Sequence, residues 1–90
     1  GVSMEELGDI LCAPSVEEQF SAAELGRAID RFLQDEDSES RKLFLRRYWF
    51  GESVGTLAEE LALGENAVSA RLSRIRKRLK KYLIKEGFTV

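Results

Sequence analysis

Ninety residues make one domain, and a globule of this size buries only about 60 to 65% of its unfolded surface, too little for an enzyme cleft beside its scaffold. The chain has no His, one Cys12 and one Pro14, and neither a Gly-rich phosphate loop nor a nucleophile elbow. Catalytic, metal, cofactor and disulfide chemistry therefore lack their usual residues, and none is expected. The net charge of −2 hides a division: residues 1–40 carry eleven acids and two bases, residues 41–90 twelve bases and five acids, as if one half faced a polyanion. A cysteine that cannot pair within the chain fits a reducing, cytoplasmic setting. Apolar runs are far short of the ~20 residues of a membrane span, and no signal peptide is visible.

In chain order, Leu7, Ile10 and Leu11 share one side of a short helix, but Ala13-Pro14-Ser15 and the glutamates after it make residues 1–20 an acidic, mobile lead-in. From Ser21 the spacing tightens. Ala22, Leu25, Ile29, Phe32 and Leu33 predict a first firm helix, with Ser21 and Glu24 as a capping box. Residues 34–38 break it. A second, aromatic helix is expected from about Glu39 to Phe50, with Leu43, Phe44 and Tyr48 inward and Gly51 at its end. Arg47, among Phe44, Tyr48 and Trp49, reads as a structural side chain that packs along its stem.

Ser53 predicts the cap of a third helix with Val54, Leu57, Ala58 and Leu61 on its apolar face. Leu63-Gly64-Glu65 is expected to form the next corner because Gly accepts tight backbone angles. A fourth helix then runs from about Glu65, an acid suited to the positive end of the helix dipole, to about Lys85. Its seam is Val68, Leu72, Ile75 and Leu79, followed by Tyr82 and Leu83 as further core. The domain is thus expected over residues 21–86, with 87–90 as a tail. The fold class is all-α, a small bundle of about four helices ending in a helix-turn-helix, winged-helix-like or of the kind introduced below.

Two helices joined by a short Gly-containing turn, from Ser53 to about Leu83, outline a helix-turn-helix. Between Asn66 and Lys85 the last helix has eight bases and no acid. Like charges at i and i+4 repel by a few tenths of a kcal/mol per pair, so an uncompensated run points to an outside partner, against the plainer reading of a solvated basic face. On a helical wheel the side opposite the seam holds Asn66, Ala70, Ser73 and Lys77, with Ser69 beside it. Small and polar, these side chains near the helix start suit close approach to base edges. Arg71, Arg74, Arg78, Lys81 and Lys85 form one flank and Arg76 with Lys80 the other, as two phosphate backbones bordering a groove would require. The candidate DNA-binding residues are Asn66, Ser69, Ala70 and Ser73 toward bases and Arg71, Arg74, Lys77 and Arg78 toward phosphates.

Several stretches resemble region four of bacterial sigma factors, most closely the short extracytoplasmic-function type. They are Leu57-Ala58, Leu61-Ala62, Val68-Ser-Ala-Arg71-Leu72 and Arg74-Ile-Arg76-Lys-Arg-Leu79, together with Arg41 to Tyr48 and Glu24 to Leu33 upstream. The resemblance covers about residues 21–86. It implies promoter recognition at the −35 element, docking on the β-subunit flap of RNA polymerase core, and control by an anti-sigma factor. Neither a membrane nor a small-molecule substrate is implied. It further implies that residues 1–20 are the linker to an absent half of the protein and that the chain is a fragment. Departures fall at Glu36-Asp37 (Leu-Pro in the family), Ala62 (the turn Gly), Gly64 (a capping Ser) and Ala67 (a Thr). The alternative is a protein-interaction module, binding the flap or an anti-sigma factor, whose DNA contact is weak or masked by the acidic half.

Overall fold

A computed structural model describes Leu7 and residues 22–88. The first helix, α1, is Ala22–Asp35; the turn of its apolar spacing puts Ala28, Phe32 and Leu33 in the core with Leu25 and Ile29 partly covered. Ser21 lies outside the described residues, and the expected capping box with it. The last turn of α1 has no basic residue of its own. Arg41 supplies the charge from the next helix: its Nε donates to the Leu33 carbonyl at 2.9 Å and its Nη2 to the carbonyls of Gln34 and Glu36 at 3.3 and 3.1 Å. A guanidinium at the negative end of a helix satisfies carbonyls that have no partner within it.

The second helix, α2, is Ser38–Phe44, and Asp37 is its N-cap, accepting from the Ser40 backbone N–H at 2.7 Å. That bond, with a second from the Ser40 hydroxyl, holds the Asp37 carboxyl below its ordinary pKa. The single regular helix expected to Phe50 is not what forms. At Leu45 the chain widens into a π-helical turn, Leu45–Trp49, in which the Phe50 N–H donates to the Leu45 carbonyl at 3.0 Å. The wider turn keeps Phe44 and Tyr48 buried with their rings 4.9 Å apart in an edge contact, and Gly51 follows at φ 70°.

Helix α3, Val54–Leu61, starts at Ser53, whose hydroxyl accepts from the Thr56 N–H at 3.1 Å, as its sequence position foretold. The corner after it differs from expectation. Ala62, not Gly64, takes the left-handed conformation, with φ 55° and ψ 41°. The Leu63 N–H reaches back to the Ala58 carbonyl at 3.0 Å and the Ala62 N–H to the Glu59 carbonyl at 3.3 Å. This is the Schellman pattern of bonds with Ala where Gly is usual. Gly64 is an ordinary extended residue at φ −75° that serves as the N-cap of α4 without a side chain to donate or accept.

Helix α4, Glu65–Lys85, is 21 residues long and packs on α1, α2 and α3. Its seam is buried as expected: Val68, Leu72, Ile75, Leu79 and Leu83, with Tyr82 half-buried against Phe32 at a ring separation of 5.6 Å. Each such side chain contributes about 1.5 to 3 kcal/mol of transfer free energy, so this one stripe is the spine of a small core. At the far end Gly87, φ 97°, turns the chain so that Phe88 returns to the core. Leu7 is buried in the same cluster. No strand, and hence no wing, occurs among the described residues.

Candidate nucleic-acid interface

Burying Val68, Leu72, Ile75 and Leu79 fixes which side of α4 faces outward, because every other residue is set by 100° steps around the axis. Asn66, Ser69 and Ala70 are exposed near the start of the helix and Ser73 is half-buried beside them. None has a long side chain, so an approaching surface can come close to the backbone of α4 along this strip. Arg74 and Lys77 are exposed one to two turns further on, and Lys80, Lys81 and Lys85 continue the charge to the end of the helix. All eight candidate residues therefore lie on one continuous, outward and sideways-facing surface of a single helix.

Two of the arginines are engaged within the molecule. Arg71, half-buried, pairs with Glu39 of α2, and Arg78 Nε donates to Glu36 Oε1 at 2.8 Å. Glu36 belongs to the α1–α2 turn and Glu39 to the first turn of α2, and both lie along that flank of α4. With Arg74 and Asp37 they line a groove of about 480 Å³. On the opposite flank Arg76 is half-buried, its Nη1 donating to the Tyr48 hydroxyl at 2.6 Å, which ties α4 to the π-helical turn rather than offering a second free wall. The charge left facing outward without an ion pair among the described residues includes Arg74 and Lys77.

The scaffold under the first helix of the pair is also ionic. Arg46, in the π-helical turn, donates to Glu52 at 2.6 and 2.8 Å and pairs with Glu60 of α3. Its hydrogen bonds hold the carboxyls of Glu52 and Glu60 below their ordinary range and push its own pKa up. Arg47 is half-buried and donates to the Glu52 carbonyl at 2.9 Å, in keeping with a structural role. Sequence patterning found neither this clamp nor the pairing of Glu36 and Glu39 with α4. Charge signs alone were available for both, and the facing partners lie up to 42 residues away.

Residues 37–79 match the family described as Sigma-70, region 4. The chain carries a sigma-70 region 4. The match begins at the Asp37 cap and ends at Leu79 on the seam of α4, so it spans α2, the π-helical turn, α3 and the greater part of α4. Region 4 is the DNA-binding helix-turn-helix of sigma factors, the element of promoter recognition in transcription initiation, and α3 and α4 are its two helices here. Among curated proteins and solved structures, none matches the chain. No helix among the described residues is long and apolar enough to cross a membrane.

Proposed function

We propose that this region 4 recognises the −35 element of promoters by laying α4 in the major groove. Asn66, Ser69, Ala70 and Ser73 stand nearest the base edges, and Arg71, Arg74, Lys77 and Arg78 take phosphates. The observation that supports this reading is the small, polar strip at the start of α4, exposed opposite a fully buried seam and bordered by cations. A helix enters a major groove with its N-terminal residues toward the bases, and cations beside it meet the backbones.

Fluorescence anisotropy of the 90-residue chain on duplexes with different −35-like sequences and a scrambled control, at two salt concentrations, tests it. Preferential and salt-sensitive binding to one sequence class is expected. Arg74→Ala should weaken binding to every duplex alike, and Asn66→Ala should alter the order of preference. Equal binding of wild type and Arg74→Ala would show that the docking pose is wrong.

The same fold exposes Trp49 and Phe50, 64% and 69% accessible, side by side where the π-helical turn ends. Adjacent exposed aromatics are the usual anchors of a protein interface, which favours this corner as a contact for RNA polymerase core at its β flap, or for an anti-sigma factor. Trp49→Ala with Phe50→Ala should leave DNA binding intact and abolish capture by polymerase core.

A further inference from the structure

The arginines on one flank of α4 face acids that belong to the same chain. Arg71 and Arg78, seven residues apart and so two turns along one side of α4, meet Glu39 in the first turn of α2 and Glu36 in the turn before it, three residues apart. The turn is well anchored. The Glu36 N–H donates to the Leu33 carbonyl at 3.2 Å, the Glu36 carbonyl accepts from Arg41 at 3.1 Å, and Asp37 caps the helix that carries Glu39. The Glu36 side chain is only 13% exposed, so its charge is held against Arg78 rather than waving in solvent. Carboxylate and phosphate are both oxyanions that accept from the same guanidinium N–H groups.

We infer that Glu36 and Glu39 are built-in competitors for phosphate: DNA binding exchanges each carboxylate for a backbone phosphate on Arg71 and Arg78, and the two acids set the domain's affinity. The inference rests on the DNA reading above and adds to it the residues that tune it. The exchange is easiest at Arg71–Glu39, where so exposed an ion pair holds its partner weakly, while Arg78, 46% accessible in the side chain, takes a phosphate as Glu36 lets go. Arg71 is 38% and Glu39 61% accessible in the side chain. Arg74, on the outer edge of the same flank, needs no exchange and supplies the first phosphate contact.

The test is anisotropy of the whole chain on a labelled mixed-sequence duplex across a range of salt. The variants are Glu36→Gln with Glu39→Gln, Arg71→Ala with Arg78→Ala, the combination of all four, and a charge-matched control, Asp30→Asn with Asp35→Asn on exposed positions of α1. Thermal melting confirms that each is folded, and the single Glu39→Gln serves if the double is not. The Gln pair should bind about tenfold tighter near physiological salt, and the gain should shrink as salt rises, because salt screens the carboxylate–guanidinium attraction that the wild type must break. In the Arg71→Ala, Arg78→Ala background that gain should vanish. No gain, a loss, a gain that survives without the arginines, or a gain equalled by the α1 control each overturns the inference. Arg74→Ala, run alongside, separates the two levels: if it weakens binding while the Gln pair changes nothing, only the competitor role fails; if it changes nothing, the DNA reading fails as well.

Discussion

Ala62 holds φ at 55° in the corner between the two helices of the motif, where an L-residue with a Cβ is strained by about 1 kcal/mol and glycine is not. Two residues further, Gly64 occupies the N-cap of α4 with ordinary angles and makes no side-chain bond, although a Cβ there would meet nothing within 4 Å. Each position thus lacks the residue its role favours, Gly at the left-handed corner and Ser, Thr, Asp or Asn at the cap. Ala62→Gly should stabilise the fold by about 1 kcal/mol, and Gly64→Ser, which adds a cap acceptor for α4, by a few tenths more. For a domain of this size each kcal/mol raises the melting temperature by roughly 4 to 8 °C, so calorimetry of the double variant should show a rise of about 5 to 10 °C. A lower melting temperature in Ala62→Gly would mean that the left-handed corner is not formed in solution.

Among the elements, the π-helical turn is tied to α3 by charge as well as by the common core. Arg46 reaches Glu52 in the connecting loop and Glu60 on α3, and its hydrogen bonds lower both carboxyl pKa values. Carboxyls whose folded pKa is depressed add stability that is present above their ordinary value of 4.5 and is lost as pH falls through the lowered one. Melting temperatures measured from pH 6 to pH 3 should therefore fall, and in Arg46→Ala they should start lower at pH 6 and fall less. The remaining slope comes in part from the Asp37 cap. Parallel pH curves for the two proteins would show that the clamp does not form. The apolar spacing of each helix made α1, α3 and α4 and the α4 seam legible, because burial of a stripe is written into every third or fourth residue. The π-helical turn is not written there: Phe44 and Tyr48 stand four apart in either geometry, and the Arg76–Tyr48 hydrogen bond that accompanies the wider turn joins residues 28 apart in sequence. A wheel likewise sorts α4 into seam, strip and flanks without saying which flank the α1–α2 turn covers, so the fate of Arg71 and Arg78 needed the tertiary fold.

For the molecule as a whole, the acid-rich and base-rich halves of the sequence are not two separate bodies. α1 crosses onto α4, Arg31 lies 3.8 Å from Glu86, and Glu36 of the α1–α2 turn and Glu39 of α2 meet the basic helix directly. The core that joins them is small, and it draws on both ends of the described chain: Leu7 is 3% exposed and Phe88 7%. A buried Leu cut to Ala loses about 2 to 5 kcal/mol, a large share of the total stability of a domain this size. Leu7→Ala should then lower the melting temperature by roughly 10 to 20 °C, seen by circular dichroism. Well below that melt its affinity for DNA should equal that of the wild type, because the strip on α4 is positioned by Val68, Leu72, Ile75 and Leu79 and not by Leu7. Unchanged melting would remove Leu7 from the core, whereas a change in affinity without a change in melting would mean that the lead-in reaches the DNA-binding face itself.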